Sequence, residues 1–123
     1  MKVTKEQFIL FKRACQYWVK EFGLTDYEID YEYRRINSYY FQGYRALVKY
    51  DTDVRAASII LYRNWNMGKF ADKKIPNSEI ERTAFHEVYH LLLADLLEAP
   101  KRKRLKEEHR LIAKLSSLLL KCS

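Results

Sequence analysis

The segment between the two prolines of the chain, Pro76 and Pro100, constrains the fold most. It opens on residues 78–81, SEIE, which match a capping box: the serine hydroxyl and the glutamate three residues later each satisfy a free backbone N–H at a helix start. Apolar residues then recur at helical spacing, namely Phe85, Val88, Leu91, Leu92 and Leu96. Proline lacks a backbone N–H, so Pro100 interrupts the pattern. The segment predicts a helix over residues 78–98.

Upstream of this helix, the apolar pattern changes from helical spacing to alternation. Phe8, Phe11, Cys15 and Val19 recur at helical spacing, and Gly23 closes the run, which predicts a helix over residues 5–22. Tyrosines and an isoleucine then alternate with acidic residues over residues 27–33, as on a half-buried strand. Two more strands are predicted at 39–50 and 55–62. Short turns between the three strands predict an antiparallel meander.

The whole chain, residues 1–123, is predicted to be a single domain with an α+β fold. Its elements are an N-terminal helix, the three-stranded antiparallel sheet, the 78–98 helix and a C-terminal helix over 101–121, with a polar loop over 64–76. A chain of 123 residues has room for one modest core and no second one. Its hydrophobic fraction of 48% is typical of a globular protein.

The charge and the cysteine content indicate which partners and which cellular compartment to expect. The net charge is +7, and four basic residues stand in a row at Lys101, Arg102, Lys103 and Arg104. Such a row can favour nucleic acid or an acidic partner, but the preferred interpretation is a solvated helix start that keeps a small protein soluble. Cys15 and Cys122 form no disulfide framework. With neither a signal peptide nor an apolar run of membrane-spanning length, we expect a cytoplasmic protein with no membrane partner. The oligomeric state stays open.

Residues 86–90, HEVYH, carry the chemistry. Two histidines four residues apart lie on one face of a helix, so His86 and His90 can direct their imidazoles to one zinc ion. Glu87 is rotated by about 100° around the helix axis and faces a water beside the metal instead. Zinc lowers the pKa of that water towards about 7, and a carboxylate there acts as general base. The motif therefore predicts zinc-dependent attack of water on a peptide carbonyl, in a peptide or protein substrate.

A catalytic zinc site needs a third protein ligand, and the last predicted helix offers one in Glu108. This residue falls on an apolar face, where a carboxylate is costly unless it is paired or bound to a metal; the other residues of the face are Leu105, Ile112, Leu115 and Leu119. Glu107 and His109 are the alternatives. Helix-surface pairing with Lys103 and Arg104 explains Glu107 better than it explains Glu108.

Two further residues near the motif are not expected to bind the metal. Asp95 leaves the ligand face by about 140°, so we expect it to have a structural or supporting role. Tyr89 lies inside the motif but is rotated away from the metal, which indicates packing. Among ten tyrosines, none is singled out as a stabiliser of the oxyanion.

The HExxH run with a distal glutamate on a following helix resembles the gluzincin branch of the zincin metallopeptidases. Residues 83–97 and 107–109 also resemble small phage- and prophage-encoded metallopeptidases, in which a run like HEVYHLLLADL precedes a helix containing EEH. The resemblance implies zinc ligands at His86 and His90, a general base at Glu87, and an edge strand that pairs with an extended peptide. We expect that edge at residues 55–62.

Two alternatives to a peptidase stay open at this point. One is a basic zinc-binding interaction module that is catalytically inactive and binds nucleic acid through residues 101–104. The other is a peptidase recruited to DNA, as in the SprT-like group. That group often carries zinc-ribbon cysteines, and this sequence has none.

Overall fold

The computed structural model describes residues 2–35, 44–65 and 74–98. The elements are, in order, helix α1 (Lys5–Glu21), strands β1 (Glu28–Arg34), β2 (Ala46–Asp51) and β3 (Ala56–Tyr62), and helix α2 (Asn77–Glu98). This order confirms the predicted α+β class for the described part of the chain. The second strand, predicted over residues 39–50, is described as β2 from Ala46, and residues 39–43 of that prediction lie outside the described residues. The helix predicted over 101–121 lies outside the described residues.

Local hydrogen bonds define both ends of helix α1. The Thr4 hydroxyl accepts a hydrogen bond from the Gln7 amide at 3.1 Å, and the Gln7 side chain accepts one from the Thr4 amide at 3.1 Å, which forms a capping box. At the other end Gly23 adopts a φ of 70°, a conformation that glycine reaches without steric cost. The Leu24 amide then donates to the Val19 carbonyl at 2.8 Å, so the helix ends in a Schellman motif.

The sheet is mixed, so the predicted antiparallel meander is wrong. The strand order is β1-β3-β2, with β3 parallel to β1 and antiparallel to β2. Ile59 in β3 therefore lies opposite Tyr31 of β1 on one side and Val48 of β2 on the other. The physical reason is the charge of the strands: β3 has no charged residue, whereas β1 and β2 both do. Edge positions tolerate charge better than the central position, where the strand is covered on both sides.

The β2–β3 hairpin confirms the predicted short turn after β2. The Asp51 carboxylate accepts hydrogen bonds from the backbone amides of Asp53 at 3.0 Å and Val54 at 3.3 Å, as in an Asx turn. Arg55 completes the turn with a φ of 55°, which is rare for a residue other than glycine.

Both helices pack on the face of the sheet that carries Ile59 and Leu61, and together they form one apolar core. The loop predicted over 64–76 is anchored in this core at both of its described ends, because Trp65 and Ile75 are buried. None of the helices within the described segments is long and apolar enough to span a lipid bilayer.

Helix α2 begins one residue before the predicted cap. The Pro76 carbonyl accepts hydrogen bonds from the amides of Glu79 at 3.0 Å and Ile80 at 3.4 Å, so the first helical residue is Asn77. Ser78 therefore lies inside the first turn, and the capping box predicted at residues 78–81 is wrong. The Gln7 amide group donates to the Ile75 carbonyl at 2.7 Å and to the Asn77 side chain at 3.1 Å, so it ties the start of α1 to the start of α2.

Candidate metal centre and its cleft

The two histidines of the motif converge on the exposed side of α2. Their Nε2 atoms lie 2.9 Å apart, and the rings meet edge to face with centroids 4.4 Å apart. Two nitrogens that each bind one tetrahedral zinc ion at about 2.0–2.1 Å lie roughly 3.3 Å apart. The His86–His90 pair is close to that separation, so its donor set and geometry fit a zinc ion.

The protonation of this pair also suits a metal. Partial burial, and then the neighbouring His86, lower the pKa of His90 below its usual range. Both effects disfavour the imidazolium form, because each penalises a positive charge at this position. His90 therefore keeps the neutral ring that binds metals.

Glu87 follows His86 in the motif but, unlike the two histidines, is largely buried. It is 7% exposed, and burial raises its pKa to about 7. The carboxyl faces the core near Cys15 of α1, and after burial itself its charge is the second factor that raises the pKa of that thiol. A carboxyl with a pKa near neutrality can both accept and release a proton at physiological pH.

His86, Glu87 and His90 line the same cleft, which has a volume of about 740 Å³. One wall is α2. The other is the beginning of β2 and the residues before it, including every residue of the run 44–48. Successive strand residues point to opposite faces of a sheet. Because the lining includes three consecutive residues of the strand, 46–48, the cleft reaches the edge of β2 and is not confined to one face.

This arrangement corrects the predicted peptide-binding edge. We expected that edge at residues 55–62, but residues 56–62 form β3, which is hydrogen-bonded to β1 on one side and to β2 on the other. A strand paired on both sides has no free backbone groups to offer a peptide. Among the described strands, it is β2 that presents a free edge to the cleft.

The residues predicted to supply a third metal ligand lie outside the described part of the chain. These are Glu108 and its alternatives, Glu107 and His109, and the basic row at residues 101–104 lies outside it as well. Within residues 2–35, 44–65 and 74–98, no group of three or more histidine, cysteine or acidic side chains could hold a metal ion. The described part of the site is therefore a two-histidine pair beside a glutamate.

Asp95 has the structural role predicted for it. Its carboxylate accepts hydrogen bonds from the Tyr27 hydroxyl at 2.7 Å and from the Arg55 guanidinium at 2.9 Å. Arg55 also pairs with Asp26, and it lies over the Tyr27 ring at 4.5 Å from the ring centroid. This cluster joins the second half of α2 to the start of β1 and to the turn before β3.

Tyr89 packs, as predicted, but it also lines the cleft. Its ring is parallel to that of Phe85, with centroids 6.3 Å apart, and both residues contribute to the α2 wall. The opposite wall carries two exposed tyrosines, Tyr44 and Tyr50. The sequence analysis did not identify these two, because their place in the cleft depends on which strand lies beside α2.

Arg82 is a further cleft residue that the sequence analysis missed. It precedes His86 by four residues and lines the cleft with it. The spacing between Arg82 and His86 could have identified it from the sequence, because residues four apart share a helix face.

Comparisons of the chain with protein-family models, with curated proteins and with solved structures give no match.

Proposed function

We propose that this protein is a zinc-dependent metallopeptidase. The observation that carries the proposal is the convergence of two imidazole nitrogens, 2.9 Å apart, beside a buried glutamate in an open cleft. Histidine pairs of this spacing suit zinc. A carboxyl with a raised pKa beside them suits general acid–base catalysis. A cleft with a free strand edge suits an extended peptide.

In this proposal His86 and His90 hold the metal, with Glu108 as third ligand. Two histidines and a carboxylate are a donor set that catalytic zinc uses in proteins, with one position left open. A bound zinc ion supplies Lewis acidity, which lowers the pKa of water and polarises a carbonyl.

Glu87 moves the proton. Its carboxylate accepts a proton from the water whose oxygen attacks the peptide carbonyl carbon. The protonated carboxyl then donates this proton to the amide nitrogen, which leaves as the C–N bond breaks. A pKa of about 7 serves both steps, because neither protonation state is strongly favoured near neutral pH. The burial that raises this pKa also shields the carboxyl from bulk water.

The edge of β2 that pairs with no other described strand offers backbone groups to a substrate. In an antiparallel pair, every second residue directs its N–H and C=O to the partner strand. The Arg45 carbonyl accepts from the Tyr62 amide at 3.0 Å, so Arg45 belongs to the set directed to β3. Ala46, Val48 and Tyr50 fall in the other set, whose backbone groups point towards the open edge. An extended peptide placed there can form main-chain hydrogen bonds along β2.

The test is the Glu87→Gln substitution. The amide keeps the size of the side chain but cannot act as a base, so we expect cleavage of an unstructured protein such as casein to fall at least about 100-fold. Zinc content is expected to stay unchanged, because Glu87 is not a ligand in this proposal. Cleavage is followed by mass spectrometry of the products, and metal by elemental analysis of the same samples.

Glu81→Gln is the matched control, because Glu81 is an exposed glutamate on the same helix and is outside the cleft lining. It is expected to retain both cleavage and zinc. Undiminished cleavage by Glu87→Gln would rule out the role assigned to this carboxylate.

A further inference from the structure

Arg82 places a positive charge in the cleft beside the histidine pair. It precedes His86 by one helical turn and lines the same cleft, and its side chain is 62% exposed. The rise of a helix puts Arg82 about 6 Å along α2 from His86. The guanidinium carries five N–H donors in a planar fork that matches a carboxylate.

Within the described part of the chain, the acidic partner of Arg82 is Glu79, three residues earlier on α2. Arg82 and Glu79 pair loosely, with Nη1 and Oε1 3.8 Å apart. The other oxygen of Glu79 is bound more closely by Arg45, at 2.9 Å. Arg45 is itself held in place over the Trp65 ring, 5.1 Å from the ring centroid. Among the described residues, the Glu79 carboxylate is thus shared by two arginines, and its contact with Arg82 is the looser of the two.

The direction of β2 relative to α2 shows where this charge lies along a bound peptide. Arg45, just before β2, contacts Glu79 near the start of α2, whereas Arg55, just after the turn that follows β2, contacts Asp95 near the end of α2. The strand and the helix therefore run in the same direction along the cleft. A peptide on the β2 edge advances about 3.3 Å per residue. The 6 Å between Arg82 and His86 along α2 thus corresponds to about two peptide residues.

We propose that Arg82 gives the cleft a preference for peptides with an acidic side chain at one position. That position is about two residues away from the peptide residue bound at the histidine pair, towards the end of the cleft where α2 begins. The preference is one of peptide binding. It becomes a specificity of cleavage if the chain is the peptidase proposed above, so the step from binding to cleavage rests on the proposed function. The chain's net charge of +7 adds a general attraction for acidic peptides. Arg82 supplies the position-dependent part.

The experiment measures binding of fluorescently labelled ten-residue peptides to the full chain carrying Glu87→Gln, which is not expected to consume them. Each peptide has one glutamate in an otherwise neutral, unstructured sequence, and its counterpart has glutamine at that position. We expect the glutamate peptide to bind about three- to fivefold more tightly at low ionic strength at one or two adjacent positions. At the remaining positions the two peptides are expected to bind alike.

Three additional substitutions in the same background separate Arg82 from general charge. Arg82→Gln is expected to remove the positional preference. Arg13→Gln removes an exposed arginine from α1 and is expected to leave the preference intact. Glu79→Gln removes the carboxylate that both arginines share, and is expected to strengthen the preference.

Equal binding of glutamate and glutamine peptides at every position would overturn the inference, as would a preference that survives Arg82→Gln. These outcomes are distinct from failure of the proposed function. A wild-type chain that cleaves no peptide, while the Arg82-dependent preference is present, would count against the peptidase and for this inference. Peptide cleavage by the wild-type chain without any Arg82-dependent preference would count for the peptidase and against this inference.

Discussion

At the scale of single residues, helix α2 divides its motif between solvent and core. His86 and His90 lie on the exposed side, and Glu87 is buried between α2 and the neighbouring elements. The histidine pairing was predictable, because a spacing of four residues is a property of the helix alone. The burial of Glu87 was not, since it depends on the packing of α1 and the sheet around it. The raised pKa of Glu87 therefore could be recognised only in the folded chain.

The Tyr27–Asp95 hydrogen bond gives a prediction at this scale. Burial, and then Asp95, raise the pKa of the Tyr27 hydroxyl far above its usual range, so it remains a donor. Tyr27→Phe keeps the ring beneath Arg55 but removes that donor. We expect the free energy of unfolding in urea to fall by about 1 kcal/mol.

Tyr17→Phe is the control, because Tyr17 is 56% exposed on α1. Its effect is expected to stay within about 0.5 kcal/mol. Equal losses in the two variants would show that the Tyr27–Asp95 hydrogen bond does not contribute to stability.

At the scale of elements, the two helix starts look alike in sequence and differ in structure. Thr4 and Gln7 form a capping box, whereas Ser78 and Glu81 match the same pattern inside a helix that has already begun. The difference arises from contacts distant in sequence. The Gln7 side chain binds the Ile75 carbonyl and the Asn77 side chain, and the Pro76 carbonyl accepts the first helical hydrogen bonds of α2. A sequence pattern of four residues cannot reveal contacts with residues that are distant in the chain.

Alanine substitutions at the two hydroxyl residues test this difference. Thr4→Ala removes a cap and is expected to lower the free energy of unfolding by about 1 kcal/mol. Ser78→Ala changes a residue within the first turn, where alanine is a better helix former, so we expect a change close to zero. Both are measured by urea denaturation under the same conditions. A loss at Ser78 as large as the loss at Thr4 would indicate that α2 is capped by Ser78 after all.

At the scale of the whole molecule, the order of the strands decides which strand edge lies beside helix α2. Alternating residues predicted three strands but could not reveal their neighbours. The uncharged run of β3 was a signal for the central position, yet the short turns suggested pairing in chain order. With β3 in the centre, β2 becomes the edge beside α2, and the cleft acquires Tyr44, Arg45 and Tyr50. The cytoplasmic location and the binding of nucleic acid through residues 101–104 stay predictions.

The zinc content of the intact chain, purified without chelators, tests the central claim most directly. We predict one zinc ion per chain, retained in Glu87→Gln and lost in His86→Ala and in His90→Ala, since two histidines and one further ligand hold it. Glu108→Ala is expected to lose the metal while Glu107→Ala keeps it. A chain that binds no zinc, or whose zinc persists when His86 or His90 is replaced by alanine, would contradict the account.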